Sequence, residues 1–447
     1  MPRHLLLVAV GLGTLLTPLN SSMIAVALVR MKDDFGLSFH DMTWLVSIFY
    51  LVSAVAQPLM GKLADLWGRK RLFVIGLAVV GVASVGAASS PTFELVVACR
   101  AVQALGSSAL FPCGMGIVRH HVHRRQAHAL GVLSVFSSIS AGAGPALGGF
   151  LLAVGDWPAV FLVNVPLIAV DLVLAVRVLP ADSVRPDPRG SGRVLAALDP
   201  RGVAVFATTI TALLLFLVSL DGSDPRWWAA VVAVAGAVLL LRLEQRSAAP
   251  FIDTRALVRS RLLSVYGSFV LVNVVFYAIF FTVPSYLQEA SGFGSAETGL
   301  LVLTLSGLGV VTVPLAARLI ERLGSRAVIV SGAAVMTAGA LLLTTLDVCS
   351  SVGWIVVVLC VIGVSTGFNN LGLQSALNER ATAGTISAAS GLFMTSRYLG
   401  TILASTLVAV TFAHTIGTRE LHRVALVLGA VAGAVLAGAL AGAARRQ

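Results

Sequence analysis

Apolar runs separated by short clusters of Arg or by turn residues fill the chain from one end to the other. Most are as long as a helix that crosses the hydrocarbon core of a bilayer, about 20 residues. They predict fourteen spans, at 5–29, 43–64, 72–90, 93–117, 128–153, 158–179, 201–220, 227–242, 262–287, 297–317, 327–346, 352–373, 385–412 and 421–441. Ten-residue segments of strict apolar-polar alternation, the pattern of a transmembrane barrel strand, do not occur. The expected fold class is therefore an all-α membrane protein. The N-terminal run offers a small-x-small site at Ala25-Val26-Ala27, but it is too long for the apolar core of a signal peptide and reads as a retained first span.

Composition agrees. Of 447 residues, 57% are hydrophobic and 11% charged, whereas a soluble domain is about a quarter charged. A mean hydropathy of +0.94 leaves too little polar surface to cover a core in water, so lipid is the expected solvent for most of the chain. The net charge of +11 does not mark a nucleic-acid binder, because the basic residues sit in clusters between apolar runs. With both termini in the cytoplasm, 24 of the 31 Lys and Arg residues fall on cytoplasmic segments. Only Arg30, Lys32, Arg226, Arg419 and Arg423 fall outside, and Arg100 and Arg397 lie within spans. The opposite orientation would invert that ratio, against the positive-inside rule. Only three basic residues are Lys, and the Arg and Ala bias points to a bacterial genome rich in G and C, hence a bacterial inner membrane. Cys99, Cys113, Cys349 and Cys360 form no regular framework and read as unpaired.

The chain repeats itself at an offset of 256: Pro58-Leu59 matches Pro314-Leu315, Leu63 matches Leu319, Asp65 aligns with Glu321 and Gly68 matches Gly324. Two halves of six spans, related as parallel repeats, resemble the major facilitator architecture. The expected division is a six-helix bundle over 1–180, a second over 262–447, and between them 181–261. That middle part holds a polar, Pro- and Arg-rich cytoplasmic linker (Asp182 to Arg201) and two additional spans.

Between spans 2 and 3 the chain reads Gly61-Lys62-Leu63-Ala64-Asp65-Leu66-Trp67-Gly68-Arg69-Lys70-Arg71. An ordinary basic loop explains Arg69 to Arg71, but not Gly61, Asp65 and Gly68 together. Small residues let helices approach closely in a membrane, and an acid at that depth needs a partner. The segment resembles the signature loop of the major facilitator superfamily, nearly position by position. The resemblance implies that Asp65 locks the outward-facing state by bonding to a helix of the other half, with Gly61, Gly68, Arg69 and Arg71 as the rest of the conformational motif.

In span 5, Gly142-Ala143-Gly144-Pro145-Ala146-Leu147-Gly148-Gly149 contains a GxG, but no strand precedes it and a dinucleotide reading fails. Pro145 invites a kink, and Gly144 and Gly148 offer a close-packing face. Gly-rich packing alone is the alternative; the segment resembles the antiporter motif of drug:proton antiporters, which is associated with exporters. In span 4, Arg100-Ala101-Val102-Gln103-Ala104-Leu105-Gly106 resembles the family's RxxQG motif with Ala104 in place of Gly. A buried Arg is costly and faces the bundle interior. The resemblance assigns Arg100 to proton transfer; a structural Arg held by backbone carbonyls is the alternative. The fourteen spans, the inserted pair, Phe161-Leu162-Val163-Asn164-Val165-Pro166, and the span 13 segment from Gly391 through Arg397 to Gly400 resemble the fourteen-span drug:proton antiporter branch. That resemblance covers essentially the whole chain.

One departure bears on coupling. Many members carry an Asp in span 1 within an LDxT-like pattern, whereas this chain reads Leu19-Asn20-Ser21-Ser22. Asn orients a substrate by hydrogen bonding but cannot carry a proton. The acid placed well inside a span is Asp171, in span 6, the second candidate for proton coupling besides Arg100. Pairing of Asp171 with Arg177 is the alternative. His120, His121, His123 and His128 cluster after span 4, where a basic orienting loop explains them better than a metal site. No metal, cofactor or catalytic constellation is expected, and the chain does not read as an enzyme.

Candidate cavity residues are Asn20, Gln57, Asn164, Asn273, Tyr277, Asn369, Asn370 and Arg397. Each can equally satisfy helix-helix hydrogen bonds. With so few internal acids, neutral, zwitterionic or anionic substrates are favoured over strong cations. The expected partners are a small-molecule substrate, protons and the lipid bilayer, with no nucleic acid, for a monomeric chain. The leading reading is an exporter of drugs, antibiotics or a metabolite in exchange for protons. A solute-specific uniporter or importer and a non-transporting membrane sensor are the alternatives.

Overall fold

The computed structural model describes residues 3–37, 44–122, 126–182, 198–220, 225–246, 251, 260–382, 385–412 and 417–444. Fourteen α-helices of fifteen residues or more occur among them. They are α1 (Arg3–Phe35), α2 (Trp44–Trp67), α3 (Arg69–Ala88), α4 (Phe93–His121), α5 (Gln126–Leu162), α6 (Asn164–Val178) and α7 (Pro200–Ser219). The remainder are α8 (Trp227–Arg246), α9 (Leu262–Glu289), α10 (Ser295–Leu323), α11 (Ser325–Leu342), α12 (Val352–Arg380), α13 (Ile386–Thr411) and α14 (Thr418–Ala444). In hydrocarbon every backbone N–H and C=O must be satisfied within the segment, which helices achieve.

Twelve helical stretches among the described residues are long and apolar enough to span a membrane. Most of α5 and the whole of α13 stand outside that set. α13 carries Ser387, Ser390, Thr395, Ser396, Arg397 and Thr401, all largely withdrawn from the surface, so its polarity faces neighbouring helices. The break expected after residue 153 is a kink inside α5, where Gly155 (φ −143°, ψ 15°) and Asp156 (φ 59°, ψ −171°) leave the helical region. Apolar side chains stand outward along the helices: Val82 is 75% exposed and Val154 72%. Such surface suits lipid rather than water.

The helices form two compact units. The first comprises α1 to α6, the start of α7 to Thr211, Ala233–Ser260 with the end of α8, and Ala381–Thr395 with the first ten residues of α13. Within it α1 packs on α5, and α3 on α4 and α6. Gly76 and Gly106 bring α3 and α4 into backbone contact: a Cβ on either would stand 2.8 Å from the other's carbonyl oxygen. The second unit comprises Ala212–Val232, α9 to α12, and Ser396 onward. In it α12 packs on α10 and α11, and a Cβ on Gly363 would come within 2.6 Å of the Leu305 carbonyl oxygen.

The repeat is legible in local geometry. Pro58 lies inside α2 and Pro314 inside α10. Gly68 (φ 118°) joins α2 to α3, and Gly324 (φ 85°) joins α10 to α11. Both adopt a backbone conformation that L side chains rarely reach.

Candidate functional site

The loop between α2 and α3 is the most tightly bonded polar site. Asp65 and Arg69 form an ion pair with Arg69 Nη2 2.8 Å from Asp65 Oδ1, both side chains mostly withdrawn from the surface. Asp65 Oδ2 accepts a hydrogen bond from the backbone N–H of Ala388 at 3.1 Å. That N–H belongs to the first turn of α13, where helix geometry leaves donors without intrahelical partners and favours a negative charge. Arg69 Nε donates to Ser387 Oγ at 3.0 Å, and Nη1 to the Gly116 carbonyl at 3.3 Å. Gly61 has no side chain because one would overlap the Ser387 carbonyl, and Gly391 is pressed in the same way against the Gln57 carbonyl.

Asp182, which sequence reasoning placed in the linker, completes this site. Its carboxylate accepts the backbone N–H groups of Lys70 at 2.9 Å and Arg71 at 3.1 Å. α3 begins at Arg69 after Gly68, which offers no side chain to cap it. A distant acid therefore takes the role, and the absence of a local cap was the available signal. A Cβ on Gly68 would stand 2.5 Å from Asp182 Oδ2. Lys70 Nζ donates to the Val176 and Leu179 carbonyls, each at 2.7 Å, which closes the last turn of α6. Arg71 lies 5.9 Å from the Trp67 ring, beside the Asp65–Arg69 ion pair rather than within it. His120 and His121 line a cleft of about 240 Å³ with Asp65, Gly68, Arg69 and Asp182. His128 is exposed, and His123 lies outside the described residues. Among the described residues no group of three or more His, Cys, Asp or Glu can hold a metal ion.

A second polar site lies inside the first unit. Arg100 is 1% exposed. Its Nη1 donates to Gln103 Oε1 at 2.6 Å, its Nε reaches the Leu45 carbonyl at 3.4 Å, and its guanidinium lies 4.4 Å from the Phe49 ring. Gln103 Nε2 donates to Ser84 Oγ at 2.9 Å and stands 3.5 Å from Asn20 Oδ1. Asn164 Nδ2 donates to Asn20 Oδ1 at 2.7 Å. The structure thus joins four predicted residues, Arg100, Gln103, Asn20 and Asn164, from α1, α4 and α6. Arg100 Nη2, Asn20 Nδ2 and Asn164 Oδ1 keep unused hydrogen-bonding capacity although buried. Gln57 is buried on α2.

Asp171 is 1% exposed, and neither carboxyl oxygen has a hydrogen-bond partner. Arg177 is exposed, so the expected alternative pairing of these two is not formed. In the span 5 motif, Gly144 and Gly148 press against Ser22 and Met23 of α1, while nothing lies within 4 Å of a Cβ on Gly149. Pro145 lies outside the residues whose side chains are described.

In the second unit Arg397 Nη2 and Nε donate to Tyr277 Oη at 2.9 and 3.2 Å. Tyr277 belongs to an aromatic cluster on α9 with Phe276, Phe280 and Phe281. Asn369 is buried, donates to its own Ser365 carbonyl at 3.0 Å, and keeps Oδ1 without a partner. Asn370 and Asn273 bond to carbonyls one turn earlier in their own helices.

A helical membrane chain with an internal repeat and this bonded loop fits a polytopic membrane transporter. The chain belongs to the Major Facilitator Superfamily, whose family model matches residues 10–405. It is similar to the uncharacterized MFS-type transporter YwoD of Bacillus subtilis, 41% identical over 97% of this chain and 96% of that protein. It is also similar to the tetracenomycin C resistance and export protein of Streptomyces glaucescens, 28% identical over 92% of this chain and 76% of that one. The methylenomycin A resistance protein of Bacillus subtilis is 26% identical over 91% and 86%. In fold, it is similar to the human organic anion transporter MFSD10, with a TM-score of 0.71 at 16% identity over 98% of this chain and 100% of that one. The xylose symporter XylE gives a TM-score of 0.68 at 14% identity over 96% and 94%.

Proposed function

We propose that this transporter exports small amphipathic compounds (drugs, antibiotics or an endogenous metabolite) in exchange for protons, by alternating access. The observation that carries the reading is the clamp of Asp65 and Arg69 on the first turn of α13. It is a conformational latch: hydrogen bonds to charged groups contribute about 1.5–3 kcal/mol each. That is the size of the difference between states a few kcal/mol apart. Two relatives named for antibiotic resistance or export support the direction of transport.

The architecture that accompanies this reading is the fourteen-span branch, with bundles at 1–180 and 262–447 and an inserted pair between them. Both termini face the cytoplasm of a bacterial inner membrane, and the chain acts as a monomer. Gly144, Pro145, Gly148 and Gly149 act as the antiporter motif, pressed against α1. Substrate contacts fall to Asn20, Gln57, Asn164, Tyr277, Asn369, Asn370 and Arg397, with Arg100 beside the first of these. Two buried or half-buried Arg side chains favour neutral, zwitterionic or anionic molecules over strong cations. A solute-specific uniporter is the second reading, favoured by Asn20, whose amide carries no proton.

The test is accumulation of a panel of antibiotics and dyes in a pump-deficient bacterium expressing the protein, with D65N as the inactive control. Lower accumulation that vanishes when the pH gradient is collapsed supports exchange with protons. No change for any compound, with the protein confirmed in the membrane, favours the uniporter.

A further inference from the structure

We infer that the seam between α1 and α6 contains a proton-binding site made by Asp171 against Gly13, separate from the amide network at Asn20 and Asn164. The inference rests on the proton-exchange reading above and assigns its carrier.

The seam has two polar levels. At one, Asn164 Nδ2 of α6 donates to Asn20 Oδ1 of α1 at 2.7 Å. At the other, Asp171 of α6 faces Gly13 of α1: a Cβ on Gly13 would stand 3.1 Å from Asp171 Oδ2 and overlap the Phe73 ring of α3. Asp171 follows Asn164 by seven residues and Gly13 precedes Asn20 by seven. Seven residues are about two helical turns, or roughly 10 Å. The two contacts are thus successive rungs of one antiparallel helix pair. Gly13 makes the lower rung possible, because only a residue without a side chain admits both the aromatic ring and the carboxyl.

Among the described residues no charged group supplies the lower rung. On α3, Arg69 is paired with Asp65, Lys70 bonds the Val176 and Leu179 carbonyls, and Arg71 lies over Trp67. On α1, His4 lies near the start, Arg30 pairs with Asp156 of α5, and Asp34 accepts the Trp157 indole N–H. His128 of α5 and Arg177 of α6 are exposed. Among the described residues none gives Asp171 a hydrogen bond. An unpaired carboxylate charge buried in apolar surroundings is costly, and side chains in this setting neutralise instead.

The reaction is simple: the carboxylate takes one proton from water on one side, holds it as the neutral acid while the seam is closed, and returns it to water when the seam opens. Pro18, inside α1 between Gly13 and Asn20, removes one helical hydrogen bond and gives α1 a place to bend between the two levels. Movement of α1 at Pro18 admits water to Asp171 without breaking the Asn20–Asn164 bond.

The test uses the full chain in lipid vesicles and needs no transported substrate for its first readout. Infrared difference spectra between acidic and alkaline buffer report the carbonyl stretch of any protonated carboxyl. We expect a band that disappears in D171N, which is nearly isosteric, and returns shifted in D171E, with unchanged thermal unfolding. An identical spectrum in D171N overturns the site. The second readout uses fluorescein as probe. D171N is expected to keep fluorescein counterflow between equal-pH compartments while losing at least tenfold of its accumulation driven by a pH gradient. Gradient-driven accumulation equal to wild type overturns the carrier role. A wild-type protein that shows the band but exchanges no proton for any probe in the panel contradicts the exporter reading, and D171N spectra still decide the site.

Discussion

Asp65 Oδ2 accepts the backbone N–H of Ala388 at 3.1 Å, across 323 positions of sequence. The carboxylate thereby caps the first turn of a helix it is not part of, while its other oxygen is held by Arg69 one turn away. Capping and ion pairing together fix the end of α2 against the start of α13. Replacing Asp65 by Asn leaves the shape and removes the charge from both bonds. The expected cost is about 1.5–3 kcal/mol, or roughly tenfold to a hundredfold in the population of the latched state. Amide hydrogen exchange in the first turn of α13 is expected to speed up by that factor; unchanged exchange would show that the bond carries no weight.

Gly61 tests the same latch by shape. A methyl there meets the Ser387 carbonyl, so G61A forces α13 away from α2. Overpacking of this kind costs about 1–3 kcal/mol. G61A is expected to reach the membrane at normal levels yet to export at most a tenth as fast as wild type. Export at wild-type rate would mean that the contact is not needed for turnover.

Asp182 separates stability from transport. Its two bonds to the Lys70 and Arg71 N–H groups cap α3. Loss of a helix cap costs about 1 kcal/mol, so D182A is expected to lower the thermal unfolding temperature measurably. D182N, which keeps an oxygen acceptor, is expected to recover much of it. Equal melting of all three proteins would remove Asp182 from the account.

The substrate preference is tested at Asn20. N20D places a carboxylate beside Asn164 and Gln103, within the network that Arg100 joins. Expected outcomes are gained export of cations such as ethidium and weakened export of anionic probes. Unchanged preference would mean that Asn20 does not face substrate.

Much of this was legible from residue order. The apolar runs mark the helices, and the pairing of Gly68 with Gly324 reappears as two glycines with positive φ at matching joints. The partnership of Asp65 was expected from the depth of the acid, but not that a backbone N–H would supply it. Asp182 read as part of a linker, because an acid that caps a helix more than a hundred positions away leaves no local pattern. The bond between Asn20 and Asn164 was hidden for the same reason. The expected span in α13 is a helix whose apolar character is interrupted. In α13 the cause is a run of Ser, Thr and Arg turned toward neighbouring helices. Gly144 and Gly148, four residues apart and so on one side of α5, read as a packing face and meet α1, whereas nothing lies within 4 Å of a Cβ on Gly149.

The most direct test of export in exchange for protons is proton movement itself. Everted membrane vesicles carrying the protein would be acidified inside by respiration, and a pH-sensitive dye would report the gradient as each compound of the panel is added. Addition of a substrate is expected to discharge the gradient in wild-type vesicles and to leave it intact with D65N. If every compound that the protein removes from cells leaves the gradient untouched, transport is not coupled to protons and the account is wrong at its centre.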